Sequence, residues 1–143
     1  MEDSQKVVVR FNSGKILKGY VKDFSTDTRV VNLQEAETHT EHRISITELK
    51  AIFFVKTFEG DSEYRDKKAY GIRKNIGHKV YIKFNDGESM MGFLEGELPW
   101  KKGFFLSKPD IKVTGFFLIP VDSESNNIKV FVVVASIKDI TRL

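Results

Sequence analysis

Sixteen residues near the start of the chain return, altered but recognisable, 73 positions later. Lys6-Val-Val-Val-Arg-Phe-Asn-Ser-Gly-Lys-Ile-Leu-Lys-Gly-Tyr-Val21 reappears as Lys79-Val-Tyr-Ile-Lys-Phe-Asn-Asp-Gly-Glu-Ser-Met-Met-Gly-Phe-Leu94. Each copy ends in a similar tail, Ile44 to Val55 in the first and Val130 to Ile140 in the second. A period of this length is too long for a solenoid repeat and suits a small domain. A unit of roughly 60 residues buries only about 60% of its unfolded-chain surface, so each copy alone is expected to be marginal. The copies should pack on each other.

The local pattern is that of strands. Val7, Val9 and Phe11 alternate with Val8 and Arg10, a period of two. Asn12-Ser-Gly14 is a tight-turn signal. A second strand follows from about Ile16 to Phe24, with Leu17, Gly19 and Val21 in phase toward the core. Gly19 recurs as Gly92, and a strand glycine marks a bend or bulge. Further strands are expected over Val30–Leu33, Thr40–Ile46 and Ala51–Val55, with a single helical turn at Thr47–Lys50. These readings give an all-β fold of two tandem five-stranded Sm/SH3-like barrels. The boundaries are residues 1–57 for the first barrel, 58–78 for a linker, and 79–143 for the second barrel. The second barrel carries an inserted hairpin at about 107–122, drawn from Gly103–Asp110 and Gly115–Asp122. Phe58, Tyr64, Tyr70 and Ile72 would pin the linker to the surface.

The chain resembles an uncharacterised bacterial family of small tandem β-barrel proteins. The marks are the repeated F-x-x-G-x-x-x-x-G pattern, the segment Leu49 to Gly60, and Gly115-Phe-Phe-Leu-Ile-Pro-Val-Asp through Asn127. This resemblance implies a fold and no activity. More loosely, each half is similar to Sm-like RNA-binding proteins. The stretches equivalent to their RNA-binding loop, Ser45-Ile-Thr-Glu48 and Val133-Val-Ala-Ser136, lack the Arg-Gly or Lys-His pair.

Composition narrows the function classes. There is no cysteine, hence no disulfide and no thiolate metal site. The polar start and the absence of a long apolar stretch point to a cytoplasmic protein without a membrane span. Net charge is +3, and the 23 Lys/Arg and 20 Asp/Glu are interspersed rather than blocked, so no electrostatic footprint for nucleic acid stands out.

No catalytic constellation is visible. Nucleophilic catalysis needs an activated Ser, Thr, Cys or Lys beside a base, and no such motif occurs. His39 and His42, with Glu37 and Glu41, could at most form a metal clasp, and a solvated loop is the simpler reading. Asp86 sits in a turn, where Asp is favoured for local hydrogen bonding. No enzyme, cofactor or metal is therefore expected.

The outward faces differ between copies. Arg10, Lys18, Tyr20 and Lys22 make the first basic and aromatic, a pattern that could hold phosphates and stack a base. Tyr81, Lys83, Met91 and Phe93 make the second more apolar, as an interface would be. The single tryptophan, Trp100, lies in a loop beside Lys101 and Lys102, the kind of residue that anchors a partner. The expected function is a non-catalytic binding or adaptor module for protein partners, with Phe93 and Trp100 in the contact. A second copy of the chain is a further candidate partner. The other reading is single-stranded nucleic-acid (RNA) binding through Arg10, Lys18, Tyr20, Lys22 and Trp100–Lys102. A third is a small anionic ligand between the barrels.

Overall fold

The computed structural model describes residues 4–58, 79–94, 114–121 and 127–142. Every regular element there is a strand apart from two single 3-10 turns. The first half supplies β1 (Gln5–Phe11), β2 (Ile16–Val21), β3 (Val30–Glu35), β4 (Glu41–Ser45) and, after a turn at Ile46–Glu48, β5 (Leu49–Val55). The second half supplies β6 (Lys79–Phe84), β7 (Ser89–Leu94), β8 (Gly115–Pro120), β9 (Asn127–Val133) and, after a turn at Val134–Ser136, β10 (Ile137–Arg142). Of the two apolar runs in the expected insertion, Gly115–Pro120 is β8, the counterpart of β3. Gly103–Asp110 lies outside the described residues, as does most of the expected linker.

All ten strands form one antiparallel sheet in the order β10-β6-β7-β8-β9-β5-β1-β2-β3-β4. The two halves run through the same internal order, so the repeat survives in the topology. Among the described residues the sheet is open, with β10 and β4 at its edges. The halves were expected to meet through apolar outer surfaces. They meet edge to edge instead, by pairing of β5 with β9 (Ile52 opposite Phe131), and Tyr81 and Met91 stay 38% and 42% exposed.

That junction explains two apolar runs in the sequence. A strand with one solvated face alternates, whereas a strand covered on both faces is apolar throughout. Ala51-Ile-Phe-Phe-Val55 and Val130-Phe-Val-Val133 are of the second kind. Ile52, Phe54, Phe131 and Val133 enter one core with Val7, Val9, Leu33 and Leu49. Ala51, Val130 and Val132 enter the other with Val80, Ile82, Phe84 and Leu118. Phe131 of the second half is thus wholly buried in the core of the first, at about 1.5–3 kcal/mol for such a side chain. Phe24 packs edge-on to it at 4.6 Å and also against Phe117. The loop after β2 adds a polar tie, as Thr114 Oγ1 donates to the carbonyls of Thr26 and Thr28 at 3.2 and 2.9 Å.

The repeat can be aligned by its hydrogen bonds. Asn12 N donates to Glu48 O and Asn85 N to Ser136 O, both at 2.9 Å. Gly14 N donates to Phe11 O and Gly87 N to Phe84 O, both at 3.0 Å. Gly14 and Gly87 take φ of 97° and 93°, which glycine adopts without strain. Ser13 and Lys15 therefore correspond to Asp86 and Glu88. Both last strands also carry a bulge at the same place. Lys50 is the extra residue between Leu49 and Ala51, and Lys138 between Ile137 and Asp139.

Candidate binding edge and its adjoining cleft

Among the described residues, strand β4 is paired on one side only. Its ladder to β3 pairs Val30 with Ser45, Asn32 with Arg43 and Gln34 with Glu41. Ile46 N donates to Arg29 O and Glu35 N to Thr40 O, which fixes the phase of the ladder. Hydrogen-bonded pairs alternate along an antiparallel ladder, so His42 and Ile44 turn their peptide groups to β3. Glu41, Arg43 and Ser45 turn theirs to the outer edge. Among the described residues no strand pairs there. Alternation also sorts the side chains: Ile44 is buried, while Glu41 and Arg43 are exposed.

Beside this edge lies a cleft of about 570 Å³ over β2, β3 and β4. Tyr20, Lys22, Arg29, Asn32 and Arg43 line it, and Asp23 and Glu41 are the acidic residues on its wall. Val30 contributes an apolar patch, 40% exposed. Near its rim, Tyr20 is met edge-on by Phe58 at 5.4 Å, and Phe58 O accepts a hydrogen bond from Lys18 Nζ at 3.2 Å. Phe58 does pin the start of the expected linker to the surface, using Lys18 and Tyr20 to do so.

The second cluster sits at the junction of the halves. Lys50 is 3% exposed although it carries a charge. Its ammonium donates to Asp86 Oδ2 at 2.8 Å and to Glu88 Oε1, and lies 4.7 Å from the centre of the Phe84 ring. Arg10 completes the group with a contact to Glu88 at 3.3 Å. A buried ammonium needs such partners, because desolvation of an unpaired charge is costly. The hydrogen bond from Lys50 holds the Asp86 carboxyl below its usual value, with help from the backbone N–H of Glu88. The same lysine, with Arg10, holds the Glu88 carboxyl below its own. Ser136, also buried, donates to Lys50 O at 2.9 Å. This is a structural clasp between halves.

The residues singled out from the sequence fall into several places. Arg10 belongs to the clasp, Lys18 and Tyr20 carry Phe58, and Tyr20 and Lys22 line the cleft. Phe93 is half-buried, opposite Ile119 of β8. Trp100, Lys101 and Lys102 lie outside the described residues. His42 Nε2 meets Glu35 Oε1 at 2.9 Å, and among the described residues no group of His, Asp or Glu side chains is arranged to hold a metal ion. The turn before Glu88 does bond as expected, with Asp86 Oδ1 accepting from Glu88 N at 2.9 Å. The sequence reading missed Lys50, Glu88, Arg29 and Arg43. The signal for the first two was present, in a lysine opening an apolar run and a Lys-to-Glu exchange between the repeated turns.

No helix among the described residues is long and apolar enough to cross a membrane. Residues 3–143 match the family model of DUF6982, a family of unknown function, and the chain belongs to that family. No curated protein and no solved structure matches the chain.

Proposed function

We propose, for this member of DUF6982, a non-catalytic binding module that holds an extended segment of a partner protein along β4. We read its two halves as Sm/SH3-like small barrels joined through β5 and β9, working in the cytoplasm. The observation that carries this reading is the set of outward peptide groups of Glu41, Arg43 and Ser45 beside a cleft. Strand addition takes affinity from such main-chain groups and specificity from neighbouring side-chain pockets. The basic residues Arg29 and Arg43 with Tyr20 also support the second reading, single-stranded nucleic acid along the cleft.

One substitution separates the readings. Ser45 has φ −68°, already the value proline imposes, and its N–H points to the outer edge. Ser45→Pro therefore removes one edge donor and leaves the β3–β4 ladder intact. Peptides selected from a random displayed library against the wild-type protein should bind Ser45→Pro at least tenfold more weakly by fluorescence anisotropy. Equal affinity for both proteins would sink the strand-addition reading. Salt-sensitive binding of RNA oligomers, undisturbed by Ser45→Pro and lost in Arg29→Glu/Arg43→Glu, would put the nucleic-acid reading in its place.

A further inference from the structure

The internal junction is a template for what fits the outer edge, because β9 and β4 are the same strand of the repeat. On β9 sits β5, with Ala51 opposite Val132, Ile52 opposite Phe131 and Phe53 opposite Val130. Val134 and Ile46 begin equivalent turns, so Val132, Phe131 and Val130 correspond to Ile44, Arg43 and His42. A strand lying on β4 as β5 lies on β9 would bring three successive residues opposite Ile44, Arg43 and His42. Just before them it would place a residue where Lys50 stands, against the turn that holds Ser13 and Lys15.

The charges at that turn are inverted between copies. At the junction the turn provides the acids Asp86 and Glu88, and the arriving strand provides the cation that covers Phe84. In the first copy the cation is already present, since Lys15 Nζ lies 5.6 Å from the centre of the Phe11 ring, the counterpart of Phe84. Two residues further on, the place of Ile52 would face Arg43, where β9 has the buried Phe131. Two places that take a lysine and an isoleucine at the junction thus face Lys15 and Arg43 at the edge. The alternate places lie opposite Ile44, which is buried, and His42, which is half-buried beside Glu35.

We infer that β4 receives an extended protein segment in which acidic and apolar residues alternate, its acids meeting Lys15 and Arg43. The inference rests on the strand-addition reading above. The matching strand of a second copy fits this rule poorly. The matching strand, β10, would bring Lys138 to Lys15 and Ile140 to Arg43, one repulsion and one mismatch.

The test uses two fluorescein-labelled peptides spanning Leu49–Lys56. One carries Lys50→Glu and Ile52→Glu, the other keeps Lys50 and carries Ile52→Lys. Cross-strand charge pairs contribute roughly 0.2–1 kcal/mol each, so two reversed positions amount to about tenfold in affinity. The acidic peptide should bind the wild-type protein about tenfold tighter than the basic one. Lys15→Glu/Arg43→Glu should invert the order, and Ser45→Pro should weaken both. Equal binding of the two peptides that is still lost in Ser45→Pro overturns the charge rule and leaves the edge reading standing. Binding of neither peptide to the wild-type protein, or binding indifferent to Ser45→Pro, overturns both.

Discussion

The turns Asn12-Ser-Gly-Lys15 and Asn85-Asp-Gly-Glu88 share a backbone and differ in what they meet. Their hydrogen bonds agree to 0.1 Å in type and length at the positions compared, 2.9 and 2.8 Å from Phe11 N to Lys15 O and from Phe84 N to Glu88 O. Yet one turn faces the outer edge and the other clasps Lys50. Local geometry in a repeat can therefore stay fixed while the side chains it carries change sign, Lys15 in one turn and Glu88 in the other. Lys50 and Lys138 make the same point from the other side. Both are bulge residues, one buried in the clasp and the other exposed.

The largest break in the comparison is expected at the paired strand glycines. A Cβ on Gly19 would stand 2.2 Å from the carbonyl oxygen of Gln34, which the β2–β3 ladder holds in place. A Cβ on Gly92 would meet Ile119 O and Leu118 Cγ, each at 2.7 Å. Overpacking of this kind costs about 1–3 kcal/mol. Gly19→Ala should lower Tm by roughly 10 °C, and Gly92→Ala by roughly half as much, since its nearest backbone oxygen stands at 2.7 Å rather than 2.2 Å. Equal losses in thermal melts would show that the two approaches are equally rigid.

Next comes the clasp. Asp86→Ala/Glu88→Ala leaves the Lys50 ammonium, 4% exposed in its side chain, without its acids. That double variant should lower Tm by roughly 5 °C. The corresponding Ser13→Ala/Lys15→Ala should stay within about 2 °C of the wild type, as exposed substitutions do. A silent clasp variant would show that Lys50 reaches water in solution.

The smallest effect is on pH dependence. Asp86 and Glu88 both titrate below their ordinary values of 3.8 and 4.5 when folded. The unfolded chain then binds their protons more readily, so the clasp contributes fully above that range. Its contribution declines as pH falls through those values and further. Tm of the wild type should drop more steeply below pH 4.5 than that of Asp86→Ala/Glu88→Ala. Parallel curves would assign the acid sensitivity to other carboxyls.

Much of the fold was legible because it is local. Alternation in Val7-Val-Val-Arg-Phe11, the turn at Asn12–Gly14 and the helical turn before the last strand each depend on neighbours within a few residues, and each stands close to its expected place. The site was far less legible. Lys18 and Tyr20 read as an open basic face, but Phe58, about 40 residues away, packs on Tyr20 and accepts a hydrogen bond from the exposed Lys18. Arg43 drew no attention, since its meaning comes from lying on a strand that ends the described sheet. Ala51–Val55 read as a last strand, although its lack of alternation already said that both faces would be covered.

The sequence by itself determined that this protein is built of strands, that it is built twice, and where its chain turns. Those features follow from side-chain alternation and backbone preference. Only the tertiary structure decided that β5 joins β9, leaving β4 and β10 as the edges among the described residues, and that Lys50 is buried while Lys138 is not. Every strand carries main-chain donors and acceptors on both edges, so pairing partners 79 residues apart, such as Ile52 and Phe131, are selected by packing and charge across the junction.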